Sequence, residues 1–600
     1  MITAVRSIGK LINKRDIKVS KTVNGKIFSI VLSEDYNFVR VEIEDFDITR
    51  ANRYLYREGA SKGNTSVPIA EITEVEKTFK KISNWLLEFK RIISSNTQDS
   101  EKLINYETYN IDDSFILTDN DVQTITKIGN VLESSKEEIL KLLTQKIEEA
   151  NIPKKIKKFL TIKLDNGNKF LGDYEIFSNF VIYNEKKKAE KSSSLNNVCS
   201  VCGKSKEKVS GKIDVYKFYT IDKPGFIAGG FKEKSAWKNY PVCDECKTYL
   251  EEGKKFINFK LSFDFYGLKY YLIPKLMMSK NEEYLAEIID IFSETTETNN
   301  IISLKERIKK RITEDENEIL KYLSGKDDFI SINFLFLQSQ QSAERILLLI
   351  EDVLPSRIRK IFEVKERVDL LYGENFNFGK IRTFFKKSDD DKRNSDLDKY
   401  FLEVVDSVFK GKKLDFSFLT KFFMQPIRKE FIADSYYLPR IKDAMMCTSF
   451  FEKLGLINFE EEEVMEKSIF EEIFAKYGKS LNTSAKRGIF LLGVLTQMLL
   501  KKQSKVRGSK PFMKKLKSMK MDEKDIKSLL PEIQNKLEEY DAFDKGKGII
   551  AQEASRYLLE AGENWKMSID EINFYFACGM NLCDEIAKVV YSKGEGSKDE

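Results

Sequence analysis

Two Cys-X-X-Cys pairs constrain this sequence more than any other feature. Cys199 and Cys202 form the first pair, Cys243 and Cys246 form the second, and 40 residues lie between the pairs. Two residues between paired thiols allow both sulfur atoms to reach one ion, and two pairs supply the four thiolates that tetrahedral zinc prefers. We therefore predict a zinc site, with redox-active pairs or unpaired thiols as the alternative. Because the protein would fill all four positions, the predicted zinc is structural and not catalytic.

The length and the charge balance limit the kinds of protein that this chain can be. A chain of 600 residues is too long for one core and predicts about three to five domains. The net charge is only +6, so any affinity for nucleic acid must come from local basic patches. The chain has no histidine, which excludes zincins, Ser-His and Cys-His hydrolases, and phosphohydrolases built on His-Asp pairs.

The cysteine content and the lack of a targeting signal predict a soluble cytoplasmic protein. Seven cysteines in 600 residues fit a reducing compartment. The three outside the pairs, Cys447, Cys578 and Cys583, lie in helix-like apolar surroundings typical of a core. The first residues lack the apolar core of a signal peptide. The longest apolar run, residues 488–500, is too short to span a bilayer, so we expect no membrane partner.

Apolar alternation, helical periodicity and shifts in composition predict an α+β multidomain fold. It would combine small N-terminal sheets, a zinc-ribbon-like insertion with four cysteine ligands and a mostly helical remainder that ends in a C-terminal helical bundle. The expected parts are an N-terminal α+β domain (1–190), a zinc-binding module (191–256), a central domain of strands followed by helices (257–463) and the C-terminal helical bundle (464–600).

Several elements are predicted individually. Strands are expected within residues 26–48 and 261–271, and a helical region from residue 72 to about residue 160. Residues 342–354 are predicted to form an apolar helix that Pro355 interrupts, and residues 511–520 a helix whose lysines face outward.

A basic and aromatic segment near the N-terminus is a candidate contact for nucleic acid. It leads into a loop rich in Gly, Ser, Asn and Thr, whose backbone amides and small polar side chains can reach phosphates or a groove edge. An ordinary solvent-exposed loop is the alternative interpretation. The candidate residues are Arg53, Arg57, Lys62, Asn64, Thr65 and Ser66.

Two cationic clusters in the second half of the chain are further candidates. Arg357 and Arg359 follow Pro355 and can bind phosphate through paired N–H groups, or they can form a surface cluster without a ligand. Nine basic residues then fall between positions 501 and 520 with no acidic residue among them, which solvation alone explains poorly and which favours contact with a nucleic-acid backbone. They are Lys501, Lys502, Lys505, Arg507, Lys510, Lys514, Lys515, Lys517 and Lys520.

Two other functions remain open at this point. Asp389, Asp391 and Asp396 could serve a carboxylate-metal nuclease, although a solvated loop is the simpler interpretation because the stretch lacks the Gly and Glu of a calcium-binding loop. The other alternative is a zinc-bearing regulator that binds only proteins.

The order and spacing of these motifs resemble the large subunit of the type I-B CRISPR surveillance complex, Cascade. The resemblance covers most of the chain. It rests on the paired cysteines together with four segments, which are residues 54–68, 350–357, 490–497 and 570–581.

The resemblance implies a non-catalytic subunit at the 5′ end of the guide RNA. Such a subunit recognises the protospacer-adjacent motif in duplex DNA, stabilises the R-loop and recruits a helicase-nuclease for antiviral defence. The implied partners are guide RNA, target DNA, the backbone, 5′-handle-binding and small subunits of Cascade, and the helicase-nuclease. The basic C-terminal bundle would correspond to the small-subunit module, which the family often also makes from an internal start, and Met465 is a candidate by position.

Overall fold

The chain folds into two compact units, in which helices predominate. The computed structural model describes residues 1–14, 25–47, 50–56, 67–98, 108–112, 115–153, 155–164, 168–213, 215–219, 221, 224–228, 232–277, 283, 285–286, 289, 330–340, 343–389, 395–459, 468–477 and 479–592. The N-terminal unit comprises Ile2–Leu261 with Ser339–Arg345, and the C-terminal unit comprises Ser262–Gln338 and Ile346–Glu600 with Met1. The predicted α+β multidomain fold is confirmed, whereas the proposed division into four domains stays a prediction.

The N-terminal unit is built from small sheets and the helices that cover them. Its helices are α1 (Ile2–Lys14), α2 (Ala51–Tyr54), α3 (Val75–Gln98), α4 (Asp119–Ser134), α5 (Lys136–Glu149), α6 (Glu175–Glu190) and α7 (Asp244–Lys260). Its strands are β1 (Gly25–Leu32), β2 (Phe38–Asp45), β3 (Ala70–Glu71), β4 (Thr108–Asp112), β5 (Phe115–Thr118), β6 (Lys157–Leu164), β7 (Lys169–Phe170), β8 (Ser193–Val198) and β9 (Ser205–Ser210).

In the main N-terminal sheet, β1 lies between β2, which is antiparallel to it, and β6, which is parallel to it. Helix was expected from residue 72 to about residue 160, but β4 and β5 interrupt that range and its end lies in strand β6. The sequence of β6 begins with two lysines, but its last six residues are all buried, and burial on both faces removes the alternation by which a strand is recognised. The strands β3 and β7 pair with β6.

The C-terminal unit begins with a four-stranded sheet and continues as helices. The strands follow the order β10 (Ser262–Phe265), β11 (Leu268–Leu276), β12 (Ile330–Gln340) and β13 (Ala343–Val353). The helices are α8 (Pro355–Tyr372), α9 (Phe378–Phe384), α10 (Asp398–Lys410), α11 (Phe416–Ile432), α12 (Tyr437–Lys453), α13 (Glu471–Lys476), α14 (Ser484–Arg507), α15 (Glu523–Glu539), α16 (Lys545–Glu560), α17 (Ile569–Asn581) and α18 (Cys583–Ser592).

Two helix predictions in this unit are wrong. Residues 343–353 form strand β13 beside β12 and not a helix, because a short continuous apolar run is compatible with either element. Pro355 begins helix α8 and does not interrupt one, since the first helical position needs no N–H donor. Residues 511–516 form a 3-10 turn, and left-handed backbone at Lys517, Ser518 and Met519 (φ 44°, 53° and 58°) prevents the helix expected up to residue 520.

Local signals for the other elements are confirmed. The N-cap Thr483 begins α14 and the capping box of Ser568 and Glu571 begins α17, as the sequence predicts. Cys447, Cys578 and Cys583 are buried in the core.

None of the helices that the structure describes combines the length and apolar character needed to cross a membrane. Met465 lies outside the described residues.

The core of the C-terminal unit depends on a close crossing of α14 and α17. A Cβ atom on Gly493 would lie 2.0 Å from the carbonyl oxygen of Phe576, and one on Gly579 would lie 1.8 Å from that of Phe490. The two helix backbones are therefore in direct contact, which only glycine permits. Helix α14 is consequently buried along most of its length.

We predict that Gly493→Ala destabilises the C-terminal unit by about 1–3 kcal/mol, because the new methyl group must separate α14 from α17. The matched control is Gly548→Ala in helix α16, where an added Cβ would meet nothing within 4 Å. This control should leave stability unchanged or raise it by about 0.4–1 kcal/mol. Thermal unfolding followed by circular dichroism compares the two variants, and equal transition temperatures would contradict the close crossing.

Candidate metal centre and nucleic-acid interface

The four cysteines of the two pairs converge on one point in the N-terminal unit. Their sulfur atoms all lie within 4.8 Å of one another, and a tetrahedral zinc at about 2.3 Å from each sulfur would need spacings of about 3.8 Å. Cys199, Cys243 and Cys246 are buried, and Cys202 is partly exposed. The set could hold a metal ion, and among the described residues it is the only such cluster of three or more Cys, Asp or Glu ligands.

Turn and helix geometry bring the pairs together. The first pair lies in the turn between β8 and β9, where Gly203 N donates to Cys199 O (2.8 Å) and Gly203 has a φ of 68°. The second pair lies at the start of α7, with Cys243 as the N-cap. A bridge between Ser210 and Val242 joins the two segments. Backbone contacts therefore hold each pair in place and bring the two pairs together.

Hydrogen bonds from backbone N–H groups favour the thiolate form of Cys199. Although burial disfavours its thiolate, hydrogen bonds from the backbone N–H groups of Cys202, Cys243 and Val201 lower the pKa of Cys199 to about 7. Burial raises the pKa values of Cys243 and Cys246. The thiolate form of Cys199 is thus favoured relative to that of an ordinary thiol, and a metal ion would supply the positive charge that favours ionisation of Cys243 and Cys246.

Arg6 of helix α1 is part of this centre and was not found from the sequence. Its Nε donates a hydrogen bond to Cys246 Sγ (3.1 Å), and its guanidinium lies 5.7 Å from the centroid of the Tyr249 ring. Burial alone would lower the pKa of Arg6, but the hydrogen bond and the charge of Cys246 raise it. Four thiolates around a divalent ion carry a net charge of about −2, which the guanidinium partly offsets.

A second helix crossing brings Arg6 to the cysteines. A Cβ atom on Gly9 of α1 would lie 1.7 Å from Tyr249 O, and one on Gly253 of α7 would lie 2.1 Å from Val5 O. The backbones of α1 and α7 therefore touch, so a side chain of α1 reaches a ligand in the first turn of α7. No local pattern in the sequence predicts this, since the two residues of the hydrogen bond are 240 positions apart.

The described candidate in the N-terminal basic segment has a structural role. Arg53 donates to both carboxylate oxygens of Asp173 (2.8 and 3.0 Å from Nε) and to Asn168 O (2.9 Å). The hydrogen bond with Asp173, against the effect of burial, raises the pKa of Arg53. Its guanidinium is thus occupied within the protein. The other candidates, Arg57, Lys62, Asn64, Thr65 and Ser66, lie outside the described residues.

The arginines after Pro355 differ in their surroundings. Arg357 Nε donates to Val408 O at the end of α10 (3.0 Å), and burial lowers its pKa. This contact ties α8 to α10 and turns the guanidinium toward the protein. Arg359 is exposed on the same helix.

The basic residues 501–520 divide into paired and unpaired groups. Carboxylates from other elements pair with some of them: Asp584 with Lys501, Asp434 with Lys510 (2.6 Å), Glu532 with Lys515 (3.5 Å) and Asp525 with Lys517. Arg507 lies over the ring of Tyr540. Within the described chain, Lys502, Lys505, Lys514 and Lys520 have no carboxylate partner.

Buried and partly buried polar side chains hold the loop that carries Lys514 and Lys520. Gln503 Oε1 accepts from Phe512 N (3.0 Å), and Arg428 Nε donates to Met519 O (2.8 Å). Asn573, which is fully buried, accepts from Met521 N (3.1 Å) and donates to Met521 O (2.8 Å). The lysine-bearing loop, residues 508–521, is therefore fixed at its start and its end.

The acidic stretch contributes to local backbone structure. Asp396 accepts hydrogen bonds from the backbone N–H (2.9 Å) and the hydroxyl of Ser388, which closes a local turn. Asp391 lies outside the described residues, and Asp389 is at the edge of them.

Comparison with protein-family models finds matches along most of the chain. The models are those of CRISPR-associated protein TM1802, with its N-terminal domain matching residues 1–183, its central domain 196–353 and its C-terminal domain 376–593. The four cysteines fall in the central match and the lysine-bearing loop in the C-terminal match. The search of curated proteins finds no match.

We predict that Arg6→Leu weakens metal retention. The guanidinium would then no longer offset the negative charge of the four thiolates, and the site would bind its ion less tightly. Outer-shell hydrogen-bond partners of metal ligands typically change affinity by about 10- to 100-fold. Chelator competition, read from the thiolate charge-transfer absorption of bound Co2+, measures the change. Lys10→Leu on the same helix removes a similar charge and should retain the metal like the parent protein. Equal loss in both variants would assign the effect to total charge and not to the contact with Cys246.

Proposed function

Because the chain belongs to the CRISPR-associated TM1802 family, we propose that it is the non-catalytic large subunit of an RNA-guided DNA surveillance complex of type I-B. In this role it binds the 5′ end of the guide RNA and duplex DNA, recognises the protospacer-adjacent motif, stabilises the R-loop and recruits a helicase-nuclease. Guide pairing reads the sequence in such complexes, while the protein holds backbones and reads a short motif.

The fixed basic loop of the C-terminal unit is the observation that carries this proposal. Lys502 on α14 and Lys514 and Lys520 in the lysine-bearing loop are without carboxylate partners among the described residues. The loop beneath Lys514 and Lys520 is held by Gln503, Arg428 and Asn573. Charges on a rigid support bind phosphates without the entropic cost of ordering the loop, and contact with phosphates is independent of base sequence.

We propose that the metal at the four cysteines is zinc and that its role is structural. Four thiolates at this spacing fit tetrahedral zinc, and a complete set of protein ligands leaves no position for a substrate or water. The ion would join the β8–β9 turn to the start of α7, and Arg6 would extend that support to α1. This arrangement supports the assignment of the chain as a scaffold and not an enzyme.

We predict that Cys202→Ser removes zinc and lowers the thermal stability of the N-terminal unit, because three thiolates and a hydroxyl bind zinc far more weakly than four thiolates. Elemental analysis should fall from about one zinc per chain to near zero. Cys447→Ala, a buried cysteine of the C-terminal unit, is the control. It should reduce stability without loss of zinc. A Cys202→Ser variant that is zinc-free and as stable as the parent would contradict the structural role.

The function itself is tested by co-expressing the chain with the neighbouring CRISPR genes and a guide RNA. We expect an assembly that contains the guide RNA and binds target DNA. Replacing Lys502, Lys514 and Lys520 by Gln should leave the assembly intact, weaken DNA binding similarly for all sequences, and reduce the slope of log affinity against log salt. The slope should fall by about 0.9 for each contact with duplex phosphates that is lost.

The matched control replaces Lys421, Lys545 and Lys566 by Gln. These lysines are exposed in the same unit, and the described residues provide them with no carboxylate partner either. The control should keep the affinity and salt slope of the parent assembly. If both triple variants behave alike, the basic loop is not in the path of the nucleic acid. Purification of the chain free of nucleic acid, with protein partners only, would instead favour the zinc-bearing regulator.

A further inference from the structure

A cavity of about 460 Å3 opens beside the basic residues of the C-terminal unit. It lies between the turn that joins α11 to α12 and the C-terminal half of α14, and its lining includes Tyr436, Pro439, Lys501, Ser504, Lys505 and Lys510. Sites for small molecules typically enclose about 300–1,000 Å3. The cavity is therefore large enough for a small ligand and too small for a double helix.

The cationic part of the lining is suited to a phosphate group. Lys505 has no carboxylate partner within the described part of the chain. Lys501 and Lys510 pair with Asp584 and Asp434, respectively, at a single carboxylate each. An ammonium group has three N–H donors, so each of these lysines keeps donors for a further anion. The hydroxyl of Ser504, which lies one turn after Lys501 and directly before Lys505, adds a neutral donor.

The aromatic part of the lining is suited to a planar ring. Tyr436 is 77% exposed, and no hydrogen bond or ring contact of its side chain within the described residues restrains it. A large aromatic side chain left in water costs free energy that a stacking partner would recover. The neighbouring Tyr437 is 2% exposed and donates to Gln497 Oε1 (3.4 Å), so only the first of the two tyrosines is available.

The walls of the cavity are fixed. Asn581 Nδ2 of α17 donates to Leu438 O (2.7 Å), which holds the first turn of α12. The ring of Tyr437 packs against that of Phe431 at 5.2 Å, and the ammonium group of Lys510 lies 5.6 Å from the Tyr437 ring. An exposed tyrosine is thus carried on a rigid turn beside three lysines.

We propose that this cavity binds one nucleotide of an unpaired nucleic-acid strand, with its phosphate on Lys501, Lys505 and Lys510 and its base stacked on Tyr436. An aromatic platform beside a basic surface is the arrangement by which proteins bind single strands, since the bases of a duplex are already stacked on one another. The inference rests on the proposed function, because it takes the basic surface of this unit to contact nucleic acid. It adds that the surface distinguishes an unpaired strand from a duplex.

The test compares binding of a single-stranded oligonucleotide and of the duplex of the same sequence to the whole chain by fluorescence anisotropy. Tyr436→Ala should weaken single-strand binding about 5- to 100-fold, the typical loss for one stacked base, and change duplex binding less than about 2-fold. Tyr436→Phe keeps the ring and should bind the single strand like the parent. Lys505→Gln should reduce the salt slope for the single strand by about 0.7.

The other possible outcomes distinguish failure of the nucleotide cavity from failure of the proposed function. If Tyr436→Ala binds both ligands like the parent while the Lys502, Lys514 and Lys520 variant is impaired, the nucleotide cavity is refuted and the proposed function stands. If the parent binds neither ligand at low salt, the proposed function fails together with the cavity. If a free nucleoside monophosphate binds the cavity as tightly as the strand does, a free nucleotide and not a strand is the occupant, which also overturns the inference.

Photocrosslinking tests the inference on the parent protein, so its result does not depend on whether a variant folds. A single strand that carries 5-iodouracil, irradiated with the parent protein, should crosslink to a peptide that contains Tyr436. Crosslinks confined to other peptides would overturn the inference even if Tyr436→Ala were unstable.

Discussion

Direct contact between helix backbones at paired glycines positions both candidate functional regions of this chain. In the N-terminal unit, Gly9 and Gly253 bring α1 against α7, and Arg6 consequently reaches a cysteine of the metal centre. In the C-terminal unit, Gly493 and Gly579 bring α14 against α17, and α14 carries the first lysines of the basic surface. A helix–helix distance set by backbone contact has little freedom, because no side chain in the contact can rotate away. The same device therefore supports a cysteine-bearing turn in one unit and a charged surface in the other.

The distribution of carboxylates decides which basic residues remain available for a ligand. The residues 501–520 contain no acid, yet Asp434, Asp525, Glu532 and Asp584 approach them from other elements. Exposed pairs of this kind contribute little to stability, but they reduce the charge that a phosphate meets. Positive charge is concentrated at Lys502, Lys505, Lys514 and Lys520, for which the described residues provide no such partner. The loop carrying two of these lysines is held by buried amides and a guanidinium.

The parts of the fold that local chemistry determines could be predicted from the sequence. Two residues between thiols define a knuckle, and Thr483 and Ser568 define helix starts because their side chains reach N–H groups only three residues away. Strand β13 could not be told from a helix, since its hairpin with β12 and not its own pattern makes it a strand. Arg6, Asn573 and the carboxylate partners of the lysines could not be found either. Arg6 and Asn573 contact residues 240 and 52 positions away, and of the four carboxylates only Asp525, eight positions from Lys517, is close to its lysine in the chain. A single sequence carries no signal of the distant contacts.

The dependence of α1 on α7 has a consequence for synthesis. Arg6 and Cys246 are 240 residues apart, so the ribosome needs roughly 12–50 s to deliver the partner of the helix at about 5–20 residues per second. During that interval Val5, Ile8, Leu11 and Ile12, which are buried in the folded unit, have no α7 to pack against. The first helix of the N-terminal unit thus reaches its final contacts only after α7, the last described helix of that unit, has been made. Its apolar face is open to chaperones or to misplaced partners until then.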